Sequence, residues 1–378
     1  MSGALRVGID GRELREGVRT GIRRYVVEVL RAAAARGLPC VVYGDPGTRL
    51  PAATGVTTLT ILGGALTPWW DQVTLPRALR RDAIDVYLSP YYKRPLWAPC
   101  PCVITIHDLF FIGYPGRRRP LYDAAMTRLA RLYARGASAI VTDSEHSRAA
   151  IVARLGLPAA RVAVIPVGLG REFAPATPTP GQRERYGLGA RYVLYVGNFL
   201  PHKNLPRLLR AWATLPAPLH ATHRLVLAGG DRGGRAALAA QAGALGLDDA
   251  VVFAGLVADE DLPAVYGGAT ALVQPSLEEG FGLPTLEAMA CGTPVIASRR
   301  GALPEVVGDA GVLVDPEDER ALAAALARVL GDADTRTALG RRGLARAAGF
   351  GAERTAGRVV DLLEAAAAGA RAVSGSAR

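Results

Sequence analysis

The segment from residue 272 to residue 297 constrains the fold more than any other part of the sequence. It begins with an apolar run that ends at Pro275, crosses a loop with two glycines, and continues as a short helix and a second apolar run. Pro284 suits the first turn of a helix, where its missing amide costs nothing, and Gly292 suits the end of that helix. This order of strand, loop, helix and strand predicts an α/β fold with the loop at the carboxyl edge of a parallel sheet.

Two carboxylates lie in this segment, Glu279 in the loop and Glu287 in the helix. The backbone amides of Gly282, Leu283 and Thr285 are expected to be free at the helix N-terminus, where they would bind an anion. Two acids beside an anion site suit a ligand with both phosphates and hydroxyls, such as a nucleotide sugar. The alternatives are a solvated loop residue for the first acid and an ordinary helix-start acid for the second.

The run Glu-Gly-Phe-Gly-Leu-Pro-Thr-Leu-Glu-Ala-Met-Ala-Cys-Gly-Thr-Pro-Val-Ile-Ala resembles the signature of retaining glycosyltransferase family 4. Members of that family have the GT-B fold, in which two Rossmann-like domains face each other across a cleft. The resemblance implies that Glu287 binds the ribose of a donor nucleotide and that Glu279 binds the transferred sugar. It also implies that the amides of Gly282 and Leu283 bind the diphosphate, and it extends more weakly along nearly the whole chain.

The 378 residues are enough for two domains that each bury a core of their own. We predict an N-terminal acceptor-side domain over residues 1–167 and a nucleotide-sugar-binding domain over 191–351. Residues 168–190, which are rich in glycine, proline, threonine and arginine, are predicted to link them. The resemblance implies that a last helix, about 352–378, crosses back to the N-terminal domain.

In the second domain a strand over 192–196 leads into Gly-Asn-Phe-Leu-Pro-His-Lys-Asn, and Lys203 follows at the predicted phosphate edge. The family has a diphosphate-binding lysine at this position, and the resemblance adds Asn198 and Val257 as donor contacts. Many relatives also carry an arginine shortly before this lysine, and this chain does not. The second cation for the diphosphate is therefore open, with Arg207 one candidate.

In the first domain a buried strand over 103–106 delivers His107 to the carboxyl edge of the sheet, beside an acid. A lone histidine is more often structural, but the resemblance implies that this one contacts the transferred sugar and stabilises the transition state. Gly21 lies in the predicted loop after the first strand, which in the family faces the acceptor and the donor phosphates. Arg24 is an acceptor-side candidate whose alternative is a solvated residue at a helix start.

Only two of the 45 basic residues are lysines, Lys93 and Lys203. A GC-rich coding sequence could explain this bias, but a lysine that persists can also mark a need for a compact, flexible charge. Lys93 lies in Tyr-Tyr-Lys-Arg after a strand that ends at Ser89, where the tyrosines could stack on a sugar. We take it as an acceptor-side candidate, with a stray surface lysine as the alternative. Arg118, in a run of three arginines, is a candidate for lipid or acceptor-phosphate contact, with simple solvation as the alternative.

The net charge of +11 raises the question of nucleic acid, but no nucleic-acid-binding motif supports it. A basic surface that meets anionic lipid headgroups agrees better with a lipid-linked acceptor. The N-terminus is predicted to be a strand rather than a signal peptide, and no apolar run has membrane-spanning length. We therefore expect a cytoplasmic enzyme at the inner face of the plasma membrane.

Together these features predict a hexosyltransferase that moves a sugar, with retention, from a nucleotide diphosphate to a cell-envelope saccharide or lipid-linked acceptor. GDP-mannose is slightly favoured, because the segment around Lys203 is similar to mannosyltransferase-like relatives. No cofactor is expected, since the nucleotide sugar is a substrate. The resemblance implies that no divalent metal is needed, and no Asp-x-Asp metal motif is evident in the chain. The rival interpretations are a nucleotide-sugar epimerase and a non-catalytic saccharide-binding subunit.

Overall fold

The computed structural model describes residues 4–15, 20–51, 58–63, 67–113 and 119–376, with side chains through residue 370. The described chain divides into two compact units, which are treated separately below. The first unit contains the described residues up to 170 together with those from 352 onward, and the second contains residues 171–351.

A parallel sheet forms the centre of the first unit, with the strand order β3-β2-β1-β4-β5-β6-β7. The strand order reverses at β1, which pairs with both β2 and β4. Such a switch point opens a crevice at the carboxyl ends of the strands. The strands are β1 (Val7–Asp10), β2 (Cys40–Gly44), β3 (Thr58–Ile61), β4 (Val86–Ser89), β5 (Cys102–Thr105), β6 (Ala139–Thr142) and β7 (Val162–Val164).

The second unit has a parallel sheet of the same kind, with the order β10-β9-β8-β11-β12-β13. Its switch point lies between β8 and β11, which pair although more than seventy residues separate them. The strands are β8 (Tyr192–Val196), β9 (Arg224–Ala228), β10 (Val251–Gly255), β11 (Ala271–Gln274), β12 (Val295–Ser298) and β13 (Val312–Val314).

Helices connect most of the strands, as is usual for parallel crossovers, whereas a loop without a helix joins β4 to β5. A π-helical turn spans Trp70–Thr74, and short 3₁₀ turns span Ala159–Arg161, Pro201–Lys203 and Ala348–Phe350. The α-helices are α1 (Gly21–Ala35), α2 (Thr67–Trp69), α3 (Leu75–Arg81), α4 (Pro120–Gly136), α5 (Glu145–Leu155), α6 (Pro180–Tyr186), α7 (Leu205–Ala213), α8 (Ala217–Thr222), α9 (Arg235–Ala244), α10 (Leu262–Gly267), α11 (Leu283–Ala290), α12 (Leu303–Val307), α13 (Glu319–Gly331), α14 (Ala333–Ala347) and α15 (Ala352–Ser376).

The last helix packs into the core of the first unit. Apolar residues four and three apart along α15, Val359 and Leu363 among them, are buried in one cluster with Val26 and Leu30 of α1. Arg36, just past the end of α1, forms an ion pair with Asp361 at 2.6 Å. The N- and C-terminal ends of the described chain therefore build one core.

Three local features differ from the sequence-based expectations. Helix α1 begins at Gly21, which was predicted to lie in the loop after the first strand, because the Thr20 hydroxyl caps it by accepting from the Arg23 amide. The segment after Trp69 contains a π-helical turn, which the apolar pattern did not indicate. The stretch predicted as a linker contains α6, whose N-terminus is capped by a capping box between Thr179 and Gln182.

Among the described residues, no helix has the length and the apolar composition that crossing a bilayer would require.

Candidate active site

The carboxyl edge of the second sheet brings together Lys203 and Glu279, which are distant in sequence. Lys203 ends the 3₁₀ turn after β8, and Glu279 lies in the loop after β11, so the pairing of these two strands makes them neighbours. The Lys203 Nζ donates to Glu279 Oε1 at 2.7 Å, and both side chains are largely buried. The structure therefore pairs two of the residues that the sequence singled out.

Two further groups fix the Glu279 carboxylate. Its Oε1 also accepts a hydrogen bond from the Ser276 hydroxyl at 2.7 Å and one from the Gln274 amide at 2.9 Å. Burial alone would raise the pKa of Glu279, but the Lys203 ammonium and these hydrogen bonds lower it below its usual value. The carboxylate is thus ionised and held in one orientation.

A left-handed glycine begins the helix that follows. Gly282 has φ of +95°, and a Cβ on it would lie 2.4 Å from Leu303 Cδ2, so both its backbone and its surroundings require glycine. The Thr285 amide, expected to be free for an anion, instead donates to the Gly282 carbonyl at 2.9 Å. The Thr285 hydroxyl donates to the same carbonyl at 2.7 Å, because the first turn closes on itself. That expectation was wrong for Thr285, and the role of Leu283 at the first helical position stays a prediction.

Glu287 lies one turn into α11 and is buried. The Tyr266 hydroxyl of α10 donates to Glu287 Oε2 at 2.6 Å. The Thr293 hydroxyl in turn donates to the Tyr266 backbone carbonyl at 2.7 Å. The carboxylate is therefore fixed by a neighbouring helix rather than solvated like an ordinary helix-start acid.

The other donor-side candidates have local partners. Asn198 Oδ1 accepts from the Leu200 amide at 3.3 Å, and Val257 is a buried residue after β10. Arg207, the candidate second cation, donates to Asn204 Oδ1 and to the Pro316 carbonyl, both at 3.1 Å. Burial, with the Lys203 charge, lowers the pKa of His202 to about 4, so this histidine is neutral near pH 7. Arg207 therefore does not pair with Glu279 in these contacts, whereas Lys203 does.

His107 lies two residues after the end of β5, at the carboxyl edge of the first sheet, and is paired with Asp143, which directly follows β6. Its Nδ1 lies 2.7 Å from Asp143 Oδ2. Burial alone would lower the pKa of His107, but the Asp143 carboxylate raises it above its usual value. Its Nε2 makes no well-formed hydrogen bond within the described residues, although the nearby Pro90 carbonyl adds to the rise. Asp108, the acid expected beside it, instead accepts from the Phe110 amide.

Lys93 lies after β4 on the same edge, near the π-helical turn. Its Nζ is 5.5 Å from the centre of the Tyr92 ring. Burial raises the pKa of Asp71, and the charges of Arg12 and Lys93 partly oppose that rise. The Tyr92 ring stacks on Phe111 at 4.0 Å, and the Tyr91 hydroxyl donates to Glu13. Both tyrosines therefore already have partners within the protein.

Three remaining candidates have simple placements. Gly21 is the first residue of α1, and the Arg24 amide donates to the Thr20 carbonyl at 3.3 Å in the same turn. Arg118 lies outside the described residues. Two Asp-x-Asp sequences do occur, at 259–261 and 332–334. Asp261 accepts from the Gln182 side chain and the Tyr186 hydroxyl, and Asp332 caps α14 by accepting from the Asp334 and Thr335 amides.

Sequence reasoning missed the residues that position the candidates. These residues are Asp143 and Tyr266, neither of which was singled out as a site residue from the sequence. A usable signal existed for Asp143, because an acid directly after one parallel strand lies near a histidine two residues beyond the adjacent strand. No comparable signal existed for Tyr266, whose contact depends on how two helices pack.

Comparison with known proteins identifies the class of this molecule. Residues 182–346 match the family model for glycosyl transferases group 1, and residues 19–173 match the model for glycosyltransferase family 4. The chain is 34% identical over 277 residues to an O-antigen chain mannosyltransferase B of Escherichia coli, covering 72% of each chain. The chain belongs to glycosyltransferase family 4.

Other relatives agree with this family and with the fold. A D-inositol 3-phosphate glycosyltransferase of Acidothermus cellulolyticus is 32% identical and matches 87% of this chain and 82% of its own. The solved sucrose-phosphate synthase of Thermosynechococcus elongatus superposes with a TM-score of 0.79 at 24% identity, over 95% of this chain and 98% of that one. Anabaena HepE, solved with UDP and glucose, gives 0.76 at 20% identity, over 96% and 100%. The two Rossmann-like units are therefore those of a GT-B glycosyltransferase, and the relatives include the mannosyltransferase-like branch.

Proposed function

We propose that this glycosyltransferase moves a hexose, with retention of anomeric configuration, from a nucleotide diphosphate donor to a hydroxyl of a cell-envelope saccharide or lipid-linked acceptor. The observation that carries the proposal is the cluster of Lys203, Glu279 and Glu287 at the carboxyl edge of the second sheet. It combines one cation for a diphosphate with two fixed carboxylates for hydroxyls.

The chemistry follows from charge. As the bond between sugar and phosphate breaks, negative charge grows on the diphosphate, and a nearby ammonium stabilises that charge more than it stabilises the ground state. Lys203 supplies the ammonium and the Leu283 amide a dipole. Glu279 orients Lys203 and accepts from hydroxyls of the sugar, while Glu287 accepts from the ribose. In this proposal the departing phosphate oxygen takes the acceptor proton as the acceptor attacks from the same face, so the anomeric configuration is retained. Lys203 and the N-terminus of α11 supply the charge stabilisation that a divalent metal would otherwise give.

GDP-mannose is the donor we favour. The mannosyltransferases among the relatives support this choice, as does the similarity of the segment around Lys203 to that branch. A UDP-sugar is the second candidate, because Anabaena HepE was solved with UDP-glucose on the same fold. We further propose that the enzyme works in the cytoplasm on the inner face of the plasma membrane, in agreement with its excess of basic residues.

A thermal-shift screen over GDP-, UDP-, dTDP- and ADP-sugars tests the donor, since a ligand at about 100 times its dissociation constant adds ~2.7 kcal/mol of stability. Transfer with the matching sugar, with NMR of the product's anomeric proton, then tests retention. Donor epimerised without any acceptor would favour the epimerase, and donor binding with neither turnover nor transfer would favour the binding subunit. Transfer that EDTA abolishes would contradict the metal-free proposal.

Substitution of the two carboxylates tests the assigned roles. We expect Glu287→Ala to weaken nucleotide binding, and Glu279→Ala chiefly to lower turnover, because its contact tightens in the transition state. Equal losses of affinity alone in both variants would contradict this division.

A further inference from the structure

Nearly all of the excess positive charge of the protein belongs to the first unit. Residues 1–113, 119–170 and 352–378 contain 25 basic and 15 acidic residues, a net charge of +10, whereas residues 114–118 and 171–351 contain 20 and 19, a net charge of +1. A charge that is uneven between two halves of a chain indicates an anionic partner for the basic half. The donor cluster lies in the other half, so the donor does not account for this charge.

The first unit also exposes large apolar side chains. Trp97 is 79% exposed, Trp69 is 58% exposed and Leu132 is 51% exposed. Scattered single apolar residues on a surface are ordinary, but exposed tryptophans that lie close together mark an interaction surface.

Hydrogen bonds place these three residues in one region. The Gln72 side chain donates to the Arg94 carbonyl at 3.1 Å and accepts from the Leu96 amide at 2.8 Å. Arg94 Nε in turn donates to the Tyr133 carbonyl at 3.1 Å. Each exposed residue is therefore within three positions of this junction, which joins the π-helical turn, the loop after β4 and helix α4.

Helix α4 extends the surface. Leu121 is 89% exposed and precedes Leu132 by eleven residues. At ~100° per residue this spacing is three turns plus about 20°, so the two leucines lie on the same face of the helix. Arg128 and Arg135 are exposed on the same face, within about 40° of Leu121. The helix thus presents leucines and arginines along one stripe.

We infer that Trp69, Trp97 and the Leu121–Arg135 stripe of α4, here called the tryptophan surface, dock the first unit onto an anionic lipid bilayer. Tryptophan is favoured at the boundary between headgroups and acyl chains, where its ring is buried and its N–H stays hydrated. Arginines beside it would contact lipid phosphates, as in other amphipathic helices that lie in the interface. The loop with Trp97 follows Lys93 at the edge that also bears His107, so a docked unit would hold that edge near lipid-linked acceptors.

This inference deepens the proposed function, because it names where the lipid-linked acceptor is met. Its test uses the full chain and co-sedimentation with vesicles of phosphatidylcholine alone or mixed with phosphatidylglycerol. We expect binding to the mixed vesicles that weakens with salt, and much weaker binding to phosphatidylcholine alone.

Two double variants divide the surface into its apolar and basic parts. Trp97→Ser with Leu132→Ser removes buried apolar area, and Arg128→Gln with Arg135→Gln removes two charges. We expect each pair to weaken vesicle binding by about tenfold or more. Leu256→Ser is the matched control, since Leu256 is 68% exposed but lies in the second unit, and it should bind vesicles like the wild type. Thermal unfolding of every variant checks that the fold is intact.

Several outcomes would overturn the inference. They are absence of vesicle binding by the wild type, equal binding by all variants, and equal binding to both kinds of vesicle. If the wild type formed a dimer in sedimentation velocity and did not bind vesicles, and only the Trp97→Ser, Leu132→Ser variant lost the dimer, the surface would be assigned to a second copy of the chain. Sugar transfer to a soluble acceptor is measured separately. Transfer without vesicle binding refutes only the docking surface, and vesicle binding without transfer refutes only the proposed function.

Discussion

Each unit holds a buried ion pair of 2.7 Å at the carboxyl edge of its sheet, and these two pairs differ in how completely their polar atoms are hydrogen-bonded. In the second unit, Glu279 Oε1 accepts from three donors, among them Lys203. In the first unit, Asp143 Oδ2 pairs with His107, but Asp143 Oδ1 and His107 Nε2 are buried without a well-formed hydrogen bond among the described residues.

This difference in hydrogen bonding indicates which of the two sites still has polar atoms available to a ligand. Buried polar atoms are nearly always hydrogen-bonded, and those that are not are often found at functional sites. The Lys203 pair is already assembled, and in the proposed function its ammonium is shared with a phosphate of the donor. The His107 pair leaves polar atoms that a substrate hydroxyl or a water could satisfy. The second unit is therefore organised before the donor arrives, and the first is completed by what binds to it.

The largest expected effect comes from removing the cation of the second unit. Lys203→Met should lower kcat by about 100-fold or more, because the leaving phosphate loses its charge stabilisation. It should also cost roughly 3 kcal/mol of unfolding free energy, since Glu279 would be left buried and unpaired. Transfer kinetics and urea unfolding measure the two effects.

A second substitution separates those effects. In the double variant Lys203→Met with Glu279→Gln, the buried charge is gone, so most of the lost stability should return while transfer stays low. If transfer returned with stability, the role of Lys203 would be structural and the comparison between the two pairs would fail.

Asp143→Asn is expected to have the next largest effect. The Asp143 carboxylate raises the pKa of His107, so its removal should lower that pKa and favour the neutral imidazole. A raised histidine pKa stabilises the fold below the unfolded pKa, near 6.5, and this contribution is lost as pH rises through the folded value. We expect kcat/KM to fall by roughly tenfold or more, and its alkaline limb to move to lower pH.

The pH profile distinguishes positioning of His107 from general destabilisation. Asp108→Asn is the matched control, because Asp108 raises the pKa of His107 less than Asp143 does and accepts from a backbone amide. An alkaline limb that moves equally in both variants, or in neither, would contradict a specific role for the pair.

The sequence predicted the individual residues of these sites better than their partners. His107, Lys203, Glu279 and Glu287 were predicted because each lies at a strand end or in a motif with a family resemblance. The bond between Lys203 and Glu279 depends on β8 lying beside β11, an order that hydrophobic patterning does not specify.

Contacts that depend on tertiary packing were also missed. The π-helical turn at Trp70–Thr74 includes Asp71, which pairs with Arg12 at 2.9 Å, and Arg12 lies 3.8 Å from the centre of the Trp70 ring. Nothing in the local pattern of this segment indicates a partner from the loop after β1. The start of α1 is the opposite case, because a threonine directly before a helix is a common N-cap and Thr20 could have been recognised as one from the sequence.

Tyr266→Phe should have a smaller effect and sharpens the comparison within the second unit. The substitution removes only the hydroxyl that orients Glu287, so we expect nucleoside diphosphate to bind several-fold more weakly. Tyr192→Phe is the matched control, because its buried hydroxyl donates to the Val265 carbonyl at 2.7 Å. Calorimetric titration should show the loss in Tyr266→Phe alone, and equal losses in both variants would reduce Tyr266 to a packing residue.

The smallest expected effect is that of Lys93→Arg, which asks whether the first unit uses its lysine at all. The substitution keeps the charge but replaces a compact ammonium with a planar group that must fit between Tyr92 and Asp71. We expect transfer to fall by a few-fold while nucleotide affinity and the unfolding midpoint stay unchanged, since the donor cluster lies in the second unit. Lys93→Ala should lower transfer further. Wild-type transfer kinetics in Lys93→Ala with the true acceptor would make Lys93 a surface lysine and leave the His107 pair as the main polar feature of that edge.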